Sequence, residues 1–133
     1  MPPEGHVEVD LDGDDEAVLD RVHDALARLW RSASDVDETD RIALETAVVE
    51  VAGNVVRHGA AGPGRHLALT ADARRLVAEV TQPGPPPPLD LAAAMPGSDQ
   101  ESGRGLALTR LLVDLTCAER AGATVWTLAR PRS

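Results

Sequence analysis

Three polar side chains within one apolar stretch are the first candidates for chemistry. Glu50, Asn54 and His58 follow one another at intervals of four residues inside 42–59. On an α-helix this spacing places them along one stripe, each turned by about 40° from the last. Because an unpaired carboxylate or amide facing a core costs a few kcal/mol, the stripe is predicted to line a cleft. The alternative is a structural role, in which neighbouring backbone groups satisfy these side chains.

The helix that carries this stripe is predicted to be largely buried. Its apolar residues recur at helical spacing and leave little of the circumference polar. They are Leu44, Val48, Val49, Val51, Ala52, Val55 and Val56.

A second candidate is the sequence Gly103-Arg104-Gly105, which precedes a helix predicted over 106–115. Glycines at the start of a helix let backbone amides approach an anion, and the helix N-terminus adds a partial positive charge. The pattern is short, so a plain loop with two glycines is the alternative.

The order of predicted elements defines the fold class. Alternating or periodic patterns predict strands at 6–11, 65–70, 75–82, 116–120 and 123–130, and helices at 14–32, 42–59 and 106–115. This order, βααββαββ, is typical of an α+β protein in which helices pack on one face of a mainly antiparallel sheet. The acids of the polar break 34–40, which begins the central helix, are predicted to form a solvated rim.

The segments between these elements contain few core-forming residues. Residues 1–5 are predicted to be a flexible tail, and the prolines of 83–88 end the strand before them. Residues 89–102 are predicted to be a mobile connection, which in a domain of this size is commonly functional.

Composition limits the class of protein further. A chain of 133 residues, 43% hydrophobic and 26% charged, predicts a single globular domain over 1–133. With no Phe or Tyr, its core must use Leu, Val and Ala together with Trp30 and Trp126. The net charge of −9 disfavours nucleic acid and favours a basic protein partner.

The cellular location is predicted from the absence of targeting and membrane-spanning sequences. The first ten residues resemble no signal peptide, and no run reaches the length of a membrane span, so we expect a cytoplasmic protein. The single cysteine, Cys117, falls in a predicted strand and excludes an internal disulfide. It is expected to be a buried, inert thiol.

Taken together, three motifs resemble the GHKL ATPase superfamily and, within it, the small anti-sigma factor serine kinases of bacteria. The motifs are 50–59 (EVAGNVVRHG), 82–84 (QPG) and 102–106 (SGRGL), and the resemblance extends over about 6–130. It implies a Bergerat-type two-layer ATP-binding fold in which 89–102 is the ATP lid.

The resemblance implies roles for the residues around the phosphates. Asn54 would coordinate Mg²⁺ through its side-chain oxygen, and Glu50 would be the general base for a serine hydroxyl of a partner. His58 would contact phosphate or cap the helix end. Gly103 and Gly105 would wrap the triphosphate, and Arg104 would add charge near the γ-phosphate.

The resemblance also implies a base-binding group. Relatives carry Asp-x-Gly at the place of Gln82-Pro83-Gly84, and that aspartate accepts a hydrogen bond from the adenine amino group. A glutamine can accept from the amino group and donate to the neighbouring ring nitrogen, but the bond is neutral, a loss of order 1 kcal/mol. Thr124 matches a threonine that lies near adenine in relatives.

Two functions follow from the resemblance. The first is a cytoplasmic, homodimeric regulator that uses ATP and Mg²⁺ to phosphorylate a serine of an anti-sigma antagonist and that sequesters a sigma factor. The alternative is an interaction module of the same fold that has lost catalysis. Gln82 and Glu101 favour the alternative, since relatives often carry an arginine at the position of Glu101.

Overall fold

The computed structural model describes residues 5–58, 64–84 and 101–133, together with their side chains except at 58 and 101–105. Within these ranges the chain forms five strands and three helices in the predicted order. The elements are β1 (Gly5–Asp10), α1 (Asp15–Ser32), α2 (Glu38–His58), β2 (His66–Ala71), β3 (Arg75–Pro83), α3 (Glu101–Leu112), β4 (Asp114–Arg120) and β5 (Ala123–Pro131).

The five strands form one sheet in the order β1-β2-β3-β5-β4, and every neighbouring pair is antiparallel. Burial alternates along the strands, as in β2, where Leu67, Leu69 and Ala71 are buried and the residues between them are not. One face of the sheet therefore carries the helices, which gives two layers. This architecture confirms the predicted α+β class.

Helix α2 lies at the centre of the helical layer. It packs against α1 and α3 at its sides and against β3 and β5 below. The predicted apolar residues are buried, except that Val49 and Val56 are only partly so. No helix in the described ranges is both long enough and apolar enough to cross a bilayer.

Some predicted boundaries were wrong. Gly5 is not part of a tail but the first residue of β1, where a Cβ would lie 2.9 Å from the Leu29 side chain. Helix α3 begins at Glu101, so the last two residues of the predicted lid are helical, and 89–100 lie outside the described residues. It ends at Leu112, so Leu115, predicted to be helical, belongs to β4.

The predicted solvated rim was wrong at one position, because Asp40 is fully buried. Its carboxylate accepts hydrogen bonds from Arg130 Nε at 2.9 Å and from the Ser133 amide at 2.9 Å. Arg130 also donates to the Leu112 carbonyl at 2.7 Å. Burial alone would raise the pKa of Asp40, but these hydrogen bonds outweigh it and lower the pKa. One carboxylate thus joins the start of α2 to the ends of α3 and β5.

Removing this carboxylate should destabilise the fold. Asp40→Ala leaves the Arg130 guanidinium, only 21% exposed, without its anionic partner, which should cost about 3 kcal/mol of unfolding free energy. Urea denaturation should show a lower midpoint with an unchanged slope. The matched control is Asp20→Ala on the exposed side of α1, which should change the unfolding free energy by less than about 0.5 kcal/mol. Equal midpoints for the two variants would contradict the assigned role.

A cluster of histidines and carboxylates lies on the helix-free face of β1 and β2. Glu8 accepts from His6 Nε2 at 2.7 Å and from His66 Nε2 at 2.9 Å, and the second nitrogen of His66 lies 3.1 Å from Asp10 Oδ1. Partial burial lowers the pKa of His66, but the hydrogen bonds to Glu8 and Asp10 raise it above its usual 6.5. The hydrogen bonds from His6 and His66 lower the pKa of Glu8 below 4.5.

This cluster should make stability depend on pH. The raised pKa of His66 means that its contribution is complete below 6.5 and is lost as pH rises through the folded-state pKa. The melting temperature should therefore fall from about pH 6 to about pH 8, and His66→Asn should flatten that fall. His23→Asn, exposed on α1, should keep the wild-type profile. A profile unchanged by His66→Asn would contradict the assignment.

Candidate functional site

The side chains of Glu50 and Asn54 lie one helical turn apart on α2. Asn54 is buried, whereas Glu50 is partly exposed. Asn54 Nδ2 donates to the Glu50 backbone carbonyl at 3.0 Å. Because a carbonyl only accepts, this bond fixes which end of the amide is nitrogen and turns Oδ1 away from the helix backbone.

The oxygen of Asn54 is the unusual atom of this part of the site. It is fully buried, and nothing in the described part of the chain donates a hydrogen bond to it. A buried polar atom without a partner is rare, and it indicates either a ligand or strain. An amide oxygen is a hard ligand of the kind that Mg²⁺ prefers. Asn54 therefore fits the metal position that the sequence analysis assigns to it.

The surroundings of Asn54 fit Mg²⁺ better than a transition metal. Within the described residues, no group of three or more His, Cys, Asp or Glu side chains could hold a metal ion. Mg²⁺ commonly takes only one or two protein ligands and completes its octahedron with waters and phosphates. A single amide oxygen is compatible with that mode and not with a site built entirely from protein ligands.

The base-binding candidates Gln82, Gly84 and Thr124 meet at the end of the β3–β5 ladder. Gln82 and Thr124 are paired across the two strands, and both are buried. Thr124 Oγ1 donates to the Gly84 carbonyl at 2.8 Å. Gly84 has φ of +92°, and a Cβ there would meet nothing within 4 Å. The three residues thus form one polar corner beside open space.

The glycine motif lies in the first turns of α3 rather than before the helix. Since α3 begins at Glu101, Gly103 is its third residue and Gly105 its fifth. The four orphan N–H groups of a helix are those of the N-cap and of its first three residues, so the amide of Gly103 is still available to an anion, whereas those of Arg104 and Gly105 are not. The side chains of Arg104 and His58 lie outside the described residues, and their roles stay predictions.

Sequence reasoning missed one residue of the site, Trp126. It was assigned to the core, and it is buried, but its indole Nε1 also donates to Gln82 Oε1 at 3.3 Å. Strand alternation could have indicated this role. Trp126 lies two residues after Thr124 in a predicted strand, so the two side chains share one face of the sheet.

Comparison with known sequences identifies the family. The family described as "Histidine kinase-like ATPase domain" matches residues 13–128, which is most of the chain. The chain therefore belongs to the histidine kinase-like ATPase domain family. No protein of curated function matches it.

Comparison with solved structures supports the same fold. The structure of the RsbU and RsbW domains of Rv1364c from Mycobacterium tuberculosis is similar over 97% of this chain, with a TM-score of 0.62 and 24% identity. This chain covers 33% of that one. The histidine kinase AdeS of Acinetobacter baumannii is similar over 93% of this chain and 66% of its own, with a TM-score of 0.50 and 16% identity.

If Asn54 is a metal ligand, its removal should weaken nucleotide binding only when Mg²⁺ is present. At a hundredfold excess over Kd, Mg-ATP should add about 2.7 kcal/mol to the wild type, several degrees of melting temperature for a domain of this size. Asn54→Ala should shift much less in a thermal-shift titration with Mg-ATP or Mg-ADP. Repeating the titration with a chelator is the control, since both proteins should then respond alike. Equal shifts in Mg²⁺ would remove Asn54 from this role.

Proposed function

We propose that this chain is an anti-sigma-factor-like regulator of bacteria that binds Mg-ATP and phosphorylates a serine of an antagonist partner protein. The observation that carries the proposal is the buried, unpartnered oxygen of Asn54, one helical turn from the carboxylate of Glu50. The first group suits a metal that holds phosphates, and the second suits the proton of an attacking hydroxyl.

The proposed reaction assigns one step to each group. Glu50 accepts the proton of the partner's serine hydroxyl while the serine oxygen bonds to the γ-phosphorus. The bond from that phosphorus to the β–γ bridging oxygen breaks, and ADP leaves. Bound Mg²⁺ would neutralise charge on the phosphate oxygens, and Asn54 would hold it. The amides at the start of α3 would orient the phosphates.

Glu50 is suited to act as the base by its environment. Glu50 lies on α2 and is partly buried rather than fully exposed. Within the described part of the chain, no side chain or amide donates to its carboxylate, and its hydrogen bond with Asn54 uses the backbone carbonyl. A carboxylate that is not committed elsewhere keeps its lone pairs for a substrate proton.

The proposed partner and assembly follow from the motif resemblance and the net charge. The motif resemblance supports a sigma factor or an anti-sigma antagonist as partner, and a homodimer as the assembly. The net charge of −9 supports a basic partner surface. The solved structure with an RsbW domain supports the fold on which this proposal rests.

An interaction module without catalysis is the second candidate. Two residues favour it: neutral Gln82 in the base corner, where relatives carry an aspartate, and acidic Glu101 as the first residue of α3. A carboxylate at a helix N-terminus competes with a phosphate for the same positive end of the dipole. The two candidates differ in whether phosphate is transferred.

Substituting Glu50 should separate the two candidates. With γ-labelled Mg-ATP and a bacterial anti-sigma antagonist as the probe, wild type should incorporate label, and Glu50→Gln should lose it by roughly a hundredfold or more. The nucleotide-induced thermal shift of the variant should stay close to wild type, because the amide is isosteric and Glu50 is not a proposed metal ligand. Incorporation that survives Glu50→Gln would exclude Glu50 as the base. Binding of the antagonist without any incorporation would favour the interaction module.

A further inference from the structure

The hydrogen bond between Trp126 and Gln82 fixes which end of the glutamine amide faces the pocket. An indole N–H only donates, so the atom that faces Trp126 Nε1 must be the amide oxygen. Both side chains are almost fully buried, at 2% and 6% exposed, so water does not compete for this bond. Gln82 therefore presents its NH₂ group, and in the described part of the chain nothing accepts from that nitrogen.

The hydroxyl of Thr124 is fixed in the same way. Its acceptor is the Gly84 backbone carbonyl, which cannot donate, so the single hydroxyl proton of Thr124 is used there. Thr124 is fully buried, and its hydroxyl keeps only lone pairs for a ligand that would enter this corner. The corner formed by Gln82 and Thr124, paired across β3 and β5, thus presents a donor beside an acceptor.

We propose that this corner recognises a 6-oxopurine nucleotide, with Gln82 as the specificity-determining residue and Trp126 as the residue that positions it. The carbonyl oxygen at position 6 of inosine or guanine would accept from the Gln82 amide, and their N1–H would donate to Thr124 Oγ1. Adenine carries the reverse polarity, an amino donor at position 6 and an acceptor at N1.

The same hydrogen-bond polarity would make Gln82 a poorer partner for adenine than for a 6-oxopurine. The bidentate pairing of glutamine with adenine uses both ends of the amide, the oxygen toward the 6-amino group and the nitrogen toward N7. Trp126 already occupies the oxygen. The remaining NH₂ group can donate to O6 of a 6-oxopurine, but it faces another donor in the 6-amino group of adenine.

This inference rests on the proposed nucleotide binding and refines its base. The test compares Mg-ITP with Mg-ATP by calorimetric titration of the full chain, because the two bases differ only in the 6-substituent and the N1 proton that accompanies it. Mg-ITP should bind at least as tightly as Mg-ATP. Tenfold tighter binding of Mg-ATP would overturn the inference while leaving nucleotide binding intact. Binding of neither nucleotide would overturn both.

Two variants test the positioning by Trp126. Trp126→Phe removes the N–H, so the freed oxygen of Gln82 can accept from adenine, and the ATP-to-ITP affinity ratio should rise roughly tenfold. The matched control is Trp30→Phe. The indole of Trp30 donates to Glu45 on α2 at 2.6 Å, and Trp30 is far from the β3–β5 ladder in the sequence. Its ratio should equal that of wild type. An unchanged ratio in Trp126→Phe would overturn the role of Trp126.

A second substitution keeps the proposal testable if Trp126→Phe does not fold. Gln82→Leu removes the amide but keeps a buried side chain of similar size, so it should weaken Mg-ITP more than Mg-ATP by roughly tenfold. Loss of both nucleotides by the same factor would show that Gln82 supports the pocket without reading the base, and the inference would fail.

Discussion

The burial of α2 between two helices and the sheet is the constraint on which the rest of the structure depends. This helix contacts α1, α3, β3 and β5, so its residues can be neither moved nor exposed without loosening both layers. A buried apolar helix accepts few polar groups, and each one must be satisfied or used. Asn54 is half satisfied, through its nitrogen, and the oxygen that remains is the strongest indication of a ligand in the described chain.

The candidate site residues include two buried side-chain amides, and they are oriented in opposite ways. In Asn54 the nitrogen is held by a backbone carbonyl and the oxygen is presented. In Gln82 the oxygen is held by an indole and the nitrogen is presented. Asparagine and glutamine are ambiguous ligands until a neighbour fixes them, and here each neighbour can play only one hydrogen-bonding role. The chemistry of the site is therefore set as much by the neighbours as by the amides themselves.

Local pattern predicted much of the fold. The order of elements, the burial of α2 and the placement of Cys117 in a strand are confirmed. Cys117, predicted to be buried, is only partly buried, and this partial burial raises the pKa of its thiol. These features depend on residues within a few positions of each other, where helix and strand periodicity acts. The placement of Glu50 and Asn54 on one stripe of α2 could be predicted for the same reason.

What the sequence could not predict depends on contacts between distant residues. In the sequence, Asp40 is one of several acids in a polar break. Its burial is explained only by the hydrogen bonds from Arg130 and Ser133, some ninety positions later. Trp126 reads as core until Gln82, 44 positions earlier, is found beside it. The boundary of α3 was misplaced because two glycines suggest a loop, whereas the helix runs through them.

The neutrality of the two amides has an electrostatic consequence for a chain with a net charge of −9. A nucleoside triphosphate is a polyanion, and the long-range field of this protein opposes its approach. A carboxylate at the position of Gln82 would add to that repulsion from inside the pocket, where screening by salt is weak. An amide contributes a dipole of fixed direction and no net charge, so Gln82 would select a base by polarity without raising the barrier to entry.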